Sequence, residues 1–296
     1  MVDYGHDLLF GVSVHPSPQP DGYAVELAVL CEETGLDIFS VPDHPYLPDQ
    51  FDANALLAYV AARTTRIRLM HNLANLPLRP PALLARSAAS LDILSGGRFE
   101  LGLGAGALWD SIAGLGVPRR SPGEAIAALE EAVQVVRALW TPGPPVDFDG
   151  EYYRLEGALP GPFPAHDIKI WNGAYQPRML RLTGRIADGW LPSSPYLPPQ
   201  ALAAGNRIVD EAAVEAGRRP ASVRRMYNIG GDFAQTGDGF LKGPAKVWIE
   251  QLAELALVEG MSVFLLYLPE TSEQVRWFAT EVVPGVREAV ARERGR

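Results

Sequence analysis

Strand-like and helix-like segments alternate along almost the whole chain, and this alternation constrains the fold more than any other feature. Short apolar runs predict strands at residues 8–14, 37–41, 66–70, 99–103, 168–171, 188–191, 223–229 and 262–268. Helix-like runs follow them at residues 22–34, 53–63, 82–94, 123–140, 177–185, 199–216, 245–259 and 273–292. Roughly eight such units predict an α/β fold, a (β/α)8 TIM barrel, whose parallel strands are covered on both faces and so read as continuous apolar runs. A doubly wound open sheet shows the same alternation and stays the alternative.

We expect one barrel domain over residues 1–296, with two irregular connections. The segment from about residue 104 to about residue 167 is much longer than the others, and such long connections in compact domains are usually functional. It predicts an excursion at the carboxyl-terminal rim. The loop at about 230–243 is rich in glycine and lacks apolar periodicity, which predicts a mobile lid. An ordinary surface loop has the same composition.

Charge and composition exclude some classes of binding partner and indicate a cellular compartment. The net charge of −9 argues against a nucleic-acid or anionic-membrane partner, because phosphates repel an acidic protein. The single cysteine, Cys31, excludes an internal disulfide. The chain shows no signal-peptide pattern and no apolar run long enough to span a bilayer. We therefore expect a cytoplasmic protein.

The predicted carboxyl ends of the strands carry polar and aromatic residues, and a barrel draws its ligand groups from these ends. The second strand is followed by Asp43, His44 and Tyr46, the third by His71 and Asn72, and the fourth by Gly104, Gly106, Trp109 and Asp110. Glycines there let a planar or phosphorylated ligand approach the backbone, although they also suit a simple turn. Tyr46, Trp109 and Trp190 are candidate walls of a substrate pocket, with core packing as the alternative for the tryptophans.

The pair Asp43 and His44 is the best catalytic candidate. A histidine at a strand end exchanges protons near neutral pH, and a neighbouring carboxylate fixes its tautomer. A loop cap with a packed histidine is the alternative. The five histidines are scattered, so we expect no metal site. A glycoside hydrolase needs two facing carboxylates, for which Asp43 and Asp110 are the obvious candidates. After the fifth strand, Arg178 in the first turn of a helix is suited to a phosphate.

Three segments in order carry a family resemblance: ELAVLCEETGLDIFSVPDH, PPALLARSAASLDILSGGRFELGLGAG and PRMLRLTGRIADGWLPS. With them the chain resembles the luciferase-like monooxygenase family, the bacterial luciferase-like flavin and F420-dependent oxidoreductases. The resemblance implies a (β/α)8 barrel with excursions, usually a homodimer, which binds FMN or coenzyme F420 at the carboxyl rim. For the dimer contact we expect either the helix at 123–140, with Leu129, Val133 and Val136, or the closing helix.

The F420-using branch of this family implies roles for single residues. Asp43 is expected to contact the deazaflavin, and His44 to assist proton movement. A non-proline cis peptide behind the ring is expected at His71–Asn72, with Ala74 close by. The remaining contacts, to the side chain and phosphate of the cofactor, are expected from Gly173, Ala174 and Ser193.

The chain also departs from the sugar-phosphate dehydrogenases of that branch. Ala107 and Asp110 stand where those enzymes carry a glutamate and an asparagine, and Tyr196 stands near the place of a lysine. We keep Asp110 among the candidate cofactor contacts. The loss of basic groups argues for a less charged substrate, aromatic or cyclic, rather than a phosphorylated sugar.

The leading hypothesis is an F420-dependent oxidoreductase that transfers a hydride between the deazaflavin and a small organic substrate. The first alternative is an FMN-dependent monooxygenase that uses reduced flavin and oxygen, because fold alone does not separate the two. The second alternative is a non-catalytic flavin-binding protein, which the alanine at position 107 suggests.

Overall fold

The computed structural model describes residues 3–269 and 271–295. The strands are β1 Leu9–Ser13, β2 Ile38–Val41, β3 Arg68–His71, β4 Ala74–Asn75, β5 Phe99–Gly104, β6 Val146–Asp149, β7 Arg154–Ala158, β8 Ile170–Asn172, β9 Gly189–Trp190, β10 Arg224–Ile229, β11 Asp232–Phe233, β12 Lys242–Gly243 and β13 Val263–Tyr267. The α-helices are α1 Tyr23–Glu33, α2 Ala53–Arg63, α3 Pro81–Ser95, α4 Trp109–Gly114, α5 Pro122–Trp140, α6 Pro177–Ile186, α7 Leu202–Glu215, α8 Ala245–Val258, α9 Ser272–Trp277 and α10 Val283–Glu293.

The central sheet is parallel and closed. Its strand order is β3-β2-β1-β13-β10-β9-β8-β5-β4, and a further pairing of β3 with β5 closes it. Because β3 and β4 both pair with β5, they act as one interrupted strand, and the sheet is an eight-stranded (β/α)8 barrel. The predicted fold class is therefore confirmed. Among the described residues, no helix is both long and apolar enough to cross a membrane.

The described chain divides into two compact units. Unit 1 comprises the described residues up to Val14, together with Glu26–Ser40 and those from Ala174 onward. Unit 2 comprises His15–Val25 and Val41–Gly173. In unit 1, the ring of Phe10 packs against those of Phe264 and Phe278, with centroids 5.8 and 6.2 Å away. Unit 2 contains most of the second to fourth predicted βα units and the long excursion.

Side-chain capping explains where two helices of unit 2, α2 and α5, begin. The carboxylate of Asp52 accepts the N–H of Ala55 at the start of α2. Ser121 and Glu124 form a reciprocal capping box at the start of α5, which satisfies two backbone N–H groups that lack a helical partner. In both cases a short polar residue sets the first residue of the helix.

The excursion between β5 and β8 consists of α4, α5 and the antiparallel hairpin β6–β7. Glu131 of α5 holds the tip of this hairpin, because its carboxylate accepts the N–H groups of Glu151, Tyr152 and Tyr153 at 2.8 to 3.0 Å. The apolar residues of α5 proposed for a dimer contact are all buried in this chain: Leu129, Val133 and Val136. These three side chains are therefore part of the chain's own core.

Candidate active site

Asp43 follows β2 and is held in a buried ion pair. Its carboxylate accepts hydrogen bonds from Nε and Nη2 of Arg79 at 2.6 and 2.7 Å and from the backbone N–H of Asn75 at 2.9 Å. Arg79 also donates to Asp52 at 2.7 Å, which joins the site to the start of α2. Burial lowers the pKa of Arg79, but the hydrogen bonds and charges of Asp43 and Asp52 outweigh burial and raise it. The guanidinium is therefore charged throughout the neutral pH range.

His44 is half-buried and is oriented by Tyr46. Its Nδ1 lies 2.7 Å from the hydroxyl of Tyr46, and the two ring centroids are 5.4 Å apart. This bond engages Nδ1 and leaves Nε2 for another partner. Burial lowers the pKa of His44; the charge of Asp43 opposes this effect, and His15 adds to it. The imidazole is therefore predominantly neutral near pH 7, which suits a general base.

The chain bulges at the end of β3. A cis peptide bond joins Asn72 and Leu73, one bond later than the predicted His71–Asn72. Ala74, which follows the bulge, pairs with Leu103. The backbone carbonyl of His71 lies against Gly102, and a Cβ added at Gly102 would overlap the His71 carbonyl oxygen. Gly102 is thus a glycine that the bulge requires, and it was not among the predicted site residues.

The imidazole of His71 is fully buried and has no hydrogen-bond partner on either ring nitrogen. Its ring meets Phe99 edge-on, with centroids 5.3 Å apart. Burial lowers its pKa to about 4, so the ring is neutral. His71 does not supply a cation to the site near neutral pH.

The glycines after β5 are held by the chain's own packing. Gly106 has a φ of +92°, and a Cβ there would come within 2.8 Å of Pro77 Cγ and 3.3 Å of Trp109 Cζ2. At Gly104 a Cβ would make ordinary contacts with Leu73 and Ala74. Trp109 is half-buried, whereas the side chain of Asp110 is 96% exposed and pairs with Arg119.

The predicted cofactor contacts of unit 1 are Ala174, Arg178 of α6 and Ser193 after β9, whereas Gly173, directly after β8, is the last residue of unit 2. Helix α6 has no side-chain cap at Gln176, begins with Pro177 and carries Arg178 exposed in its first turn. Ser193 accepts a hydrogen bond from Asn228 Nδ2 at 2.9 Å. The free N–H groups of a helix start and a nearby guanidinium together favour an anion.

Trp190 was predicted to wall a substrate pocket, and the structure places it in the core instead. Its indole is fully buried, and its Nε1 donates to the carbonyl of Ala174 at 2.9 Å. The ring lies against Gly205 of α7, where an added Cβ would overlap it. Its size and apolar surface are used for packing the helix on the sheet.

Known proteins identify the family. The sequence profile described as luciferase-like monooxygenase matches residues 3–230. This chain belongs to the luciferase-like monooxygenase family. An F420-dependent glucose-6-phosphate dehydrogenase of Nocardia farcinica is 38% identical over 213 residues, which cover 69% of this chain and 63% of that relative. The luciferase-like chain thus spans less than two thirds of the length of this relative.

Two solved structures share the luciferase-like fold. An F420-dependent secondary alcohol dehydrogenase in complex with an F420-acetone adduct has a TM-score of 0.84 at 20% identity, covering 95% of this chain and 99% of that one. A coenzyme F420-dependent tetrahydromethanopterin reductase from Methanopyrus kandleri has a TM-score of 0.80 at 20% identity, covering 94% and 99%. At this identity the likeness shows the barrel fold.

Within this luciferase-like chain, three predicted residues of unit 2, Asp43, His44 and Tyr46, make side-chain hydrogen bonds at the end of β2, whereas His71 and Asp110 are not part of these bonds. Asp43, Arg79 and the backbone of Asn75 are hydrogen-bonded, and His44 adjoins Asp43 in sequence and bonds to Tyr46. Arg79 was missed because its partners are 27 and 36 residues away in the chain. Among the described residues, no group of three or more histidine, cysteine or acidic side chains is suited to a metal ion.

Four tyrosines of unit 1 were also missed. Tyr175 follows β8, Tyr196 follows β9, Tyr227 lies in β10, and Tyr267 ends β13. The rings of Tyr175 and Tyr196 meet edge-on with centroids 5.7 Å apart. The recurrence of tyrosine near the ends of successive strands is a sequence signal that would have found them.

Proposed function

We propose that this protein is an F420-dependent oxidoreductase that transfers a hydride between the deazaflavin and a small organic substrate. The observation that carries the proposal is the hydrogen bond between Nδ1 of His44 and the hydroxyl of Tyr46, directly after the ion-paired Asp43. Such a histidine is oriented for proton exchange at Nε2. The names of the relative from Nocardia farcinica and of the solved alcohol dehydrogenase support the choice of F420.

The residues present fit an anionic deazaflavin cofactor. The Asp43 carboxylate accepts three of the roughly four hydrogen bonds that a carboxylate can accept, and its side chain is 1% exposed, so we propose that a ring N–H takes the fourth position at its small exposed edge. The uncapped start of α6 and Arg178 suit the phosphate of the cofactor's side chain. We propose that the cofactor is held by Asp43, His71, Asn72, Ala74, Gly104, Gly106, Asp110, Gly173, Ala174, Arg178 and Ser193.

The chain's part in the reaction is to move one proton. When bound, the deazaflavin gives or takes a hydride at a carbon atom. In the oxidative direction, neutral His44 accepts the hydroxyl proton of the substrate at Nε2 while its Nδ1–H donates to Tyr46. In the reductive direction, the imidazolium returns that proton from Nε2 to the substrate oxygen. Addition of one hydride and one proton converts a carbonyl into an alcohol, and removal of both converts the alcohol back into the carbonyl.

The test is the identity of the cofactor that the protein retains. After expression in a host that makes both F420 and FMN, the absorption spectrum and mass of the bound cofactor are expected to be those of F420. Retention of FMN, with oxygen consumed on reduction, would favour the monooxygenase instead. Cofactor binding without turnover of any acceptor or alcohol would favour the non-catalytic alternative.

Three broader expectations belong to the same proposal. The described part of the chain acts as one catalytic domain with the excursion at 104–167. The loop at 230–243, which contains the short pair β11–β12, acts as the lid. The working form is a homodimer with a small-molecule substrate, in the cytoplasm.

A further inference from the structure

The four tyrosines Tyr175, Tyr196, Tyr227 and Tyr267, here called the phenol cluster, lie together in unit 1. Tyr175 meets Tyr196 edge-on, and the ring of Tyr227 packs against Phe240 with centroids 6.2 Å apart. The hydroxyl of Tyr227 donates to the carbonyl of Leu197 at 2.5 Å, which fixes this buried member on the segment that carries Tyr196. The cluster thus combines anchored and exposed aromatic rings.

The exposed members of the phenol cluster offer apolar ring surface together with hydroxyl groups. Tyr196 is 71% exposed and Tyr175 is 37% exposed. The Tyr175 hydroxyl interacts with Ser193, one of the proposed cofactor contacts. Aromatic residues of this kind pack against ring-shaped ligands, and their hydroxyls donate hydrogen bonds to a carbonyl oxygen. The exposed surface of the cluster thus has both apolar ring faces and polar hydroxyl groups.

The phenol cluster also lacks a positive charge of its own. Burial raises the pKa of Tyr175, Tyr227 and Tyr267, and neighbouring phenols raise it further. Among the described residues, the groups that act on these three pKa values are tyrosines and Ser193, with no lysine or arginine. Proteins bind phosphate groups with arginine, lysine or clustered N–H donors. The four phenols therefore offer a phosphate hydroxyl groups but no charge; the uncapped start of α6 and Arg178, which follow Tyr175 in the chain, are assigned above to the cofactor's own phosphate.

We propose that the phenol cluster selects a neutral, ring-containing carbonyl compound, or the corresponding alcohol, as the substrate, and that it disfavours phosphorylated sugars. The assignment of a substrate rests on the proposed oxidoreductase function. Tyr196 supplies the exposed ring face that the substrate packs against, and Tyr175 supplies a hydroxyl beside Ser193. The Nocardia farcinica relative is named for a phosphorylated sugar, so this chain differs from it in substrate charge.

Ligand binding to the cofactor-loaded protein tests this proposal directly. Saturation-transfer-difference NMR is measured with cyclohexanone and with glucose 6-phosphate, and F420 affinity is measured separately by fluorescence. We expect a signal from cyclohexanone and none from the sugar phosphate. Tyr196→Ala is expected to weaken cyclohexanone binding by about threefold to tenfold, the usual worth of one aromatic contact. Tyr59→Ala, which removes an exposed tyrosine of α2, is the control and is expected to leave binding unchanged.

A charge-adding variant completes the experiment. Tyr196→Lys is expected to weaken cyclohexanone binding and to create detectable binding of glucose 6-phosphate, because it places a cation in the cluster. Stronger binding of glucose 6-phosphate than of cyclohexanone by the wild type, or equal loss in Tyr196→Ala and Tyr59→Ala, would overturn the proposal. Failure to bind F420 would instead overturn the proposed function, and the two probes, added to the protein without cofactor, would still decide which ligand the cluster selects.

Discussion

At the scale of single residues, the proposed chemistry depends on which groups hold charge and which hold protons. Asp43 and Arg79 hold each other in an ion pair, whereas burial lowers the pKa of His44 and keeps its imidazole neutral. The bond to Tyr46 engages one ring nitrogen, so the proton can move only at the other. The proposed function therefore assigns Asp43 to cofactor binding and His44 to proton transfer.

Replacing Asp43 tests the binding role. Asp43→Ala leaves the mostly buried guanidinium of Arg79 with only Asp52 as a charged partner. We expect the free energy of unfolding to fall by up to about 3 kcal/mol, because the buried guanidinium loses its two hydrogen bonds to Asp43 and keeps only the half-exposed Asp52, and F420 affinity to fall as well. Chemical denaturation and cofactor fluorescence measure the two effects. Asp52→Asn is the control; a loss of stability there as large as in Asp43→Ala would contradict the assigned geometry.

His71 makes the fold sensitive to acid. Its pKa is about 4 in the folded chain and 6.5 without the protein environment, so the unfolded chain takes up the proton first as the pH falls. The free energy of unfolding is therefore highest above pH 6.5. It falls by on the order of 3 kcal/mol as the pH decreases from 6.5 to about 4. We expect His71→Leu to remove this part of the pH dependence in urea denaturation. Parallel pH profiles of the two proteins would contradict the assignment.

At the scale of elements, the strand ends are shaped by the bulge between β3 and β4 and by the glycines opposite it. Gly102 lies under the carbonyl of His71, and Gly106 combines a left-handed φ with a close approach to Pro77. At both positions, neighbouring atoms of the chain leave no space for a side chain larger than that of glycine. A valine at Gly106 is therefore expected to disturb the fold as well as any cofactor contact.

A pair of glycine substitutions tests the bulge. Gly102→Ala is expected to lower the free energy of unfolding by roughly 1 to 3 kcal/mol, as overpacking usually does, because its Cβ would overlap the His71 carbonyl oxygen. Gly104→Ala, two residues further along β5, makes only contacts of 3.4 Å or more and serves as the matched control. Thermal unfolding compares the two. Equal melting temperatures would show that the bulge does not approach Gly102 as described.

Much of the element pattern could be predicted because buried parallel strands leave uninterrupted apolar runs. The position of Asp43 and His44 at a strand end follows from that pattern alone. The sequence does not predict the hairpin β6–β7, because its strands are short, β6 follows a Pro-rich segment, and its turn is held by Glu131, which lies about 20 residues earlier in α5. The closing helix was predicted as continuous, whereas a π-helical turn at Phe278–Val282 precedes α10, where Pro284 cannot donate a helical hydrogen bond.

The site was harder to predict, because its residues meet only through tertiary structure. Arg79 pairs with Asp43 and Asp52, which are far from it in the sequence, so no local residue spacing predicts these ion pairs. Trp190 is a different kind of error. Its position at a strand end predicts the wall of a substrate pocket, but the absence of a side chain at Gly205 leaves space for its indole in the core. Packing decides such positions, and sequence patterns do not report packing partners.

At the scale of the whole molecule, the expected homodimer needs a surface other than the one first proposed on α5. Leu129, Val133 and Val136 are buried within the chain, whereas Leu83 and Leu94 of α3 are exposed. We expect a dimer mass by light scattering at micromolar concentration, and we expect Leu94→Glu to shift it toward the monomer mass. A monomer mass for the wild type at every concentration would show that the protein does not form the expected homodimer.

A comparison of His44→Ala with the wild type tests whether His44 moves the proton in an F420-dependent reaction. Turnover of F420 with a secondary alcohol and F420 affinity are measured for wild type and His44→Ala across pH. For His44→Ala we expect an F420 affinity within about threefold of the wild-type value and a turnover lowered by about a hundredfold. The wild-type rate is expected to rise with pH through a midpoint below 6.5, because burial lowers the pKa of His44. If His44→Ala turns over at the wild-type rate with the same pH profile, His44 does not move the proton.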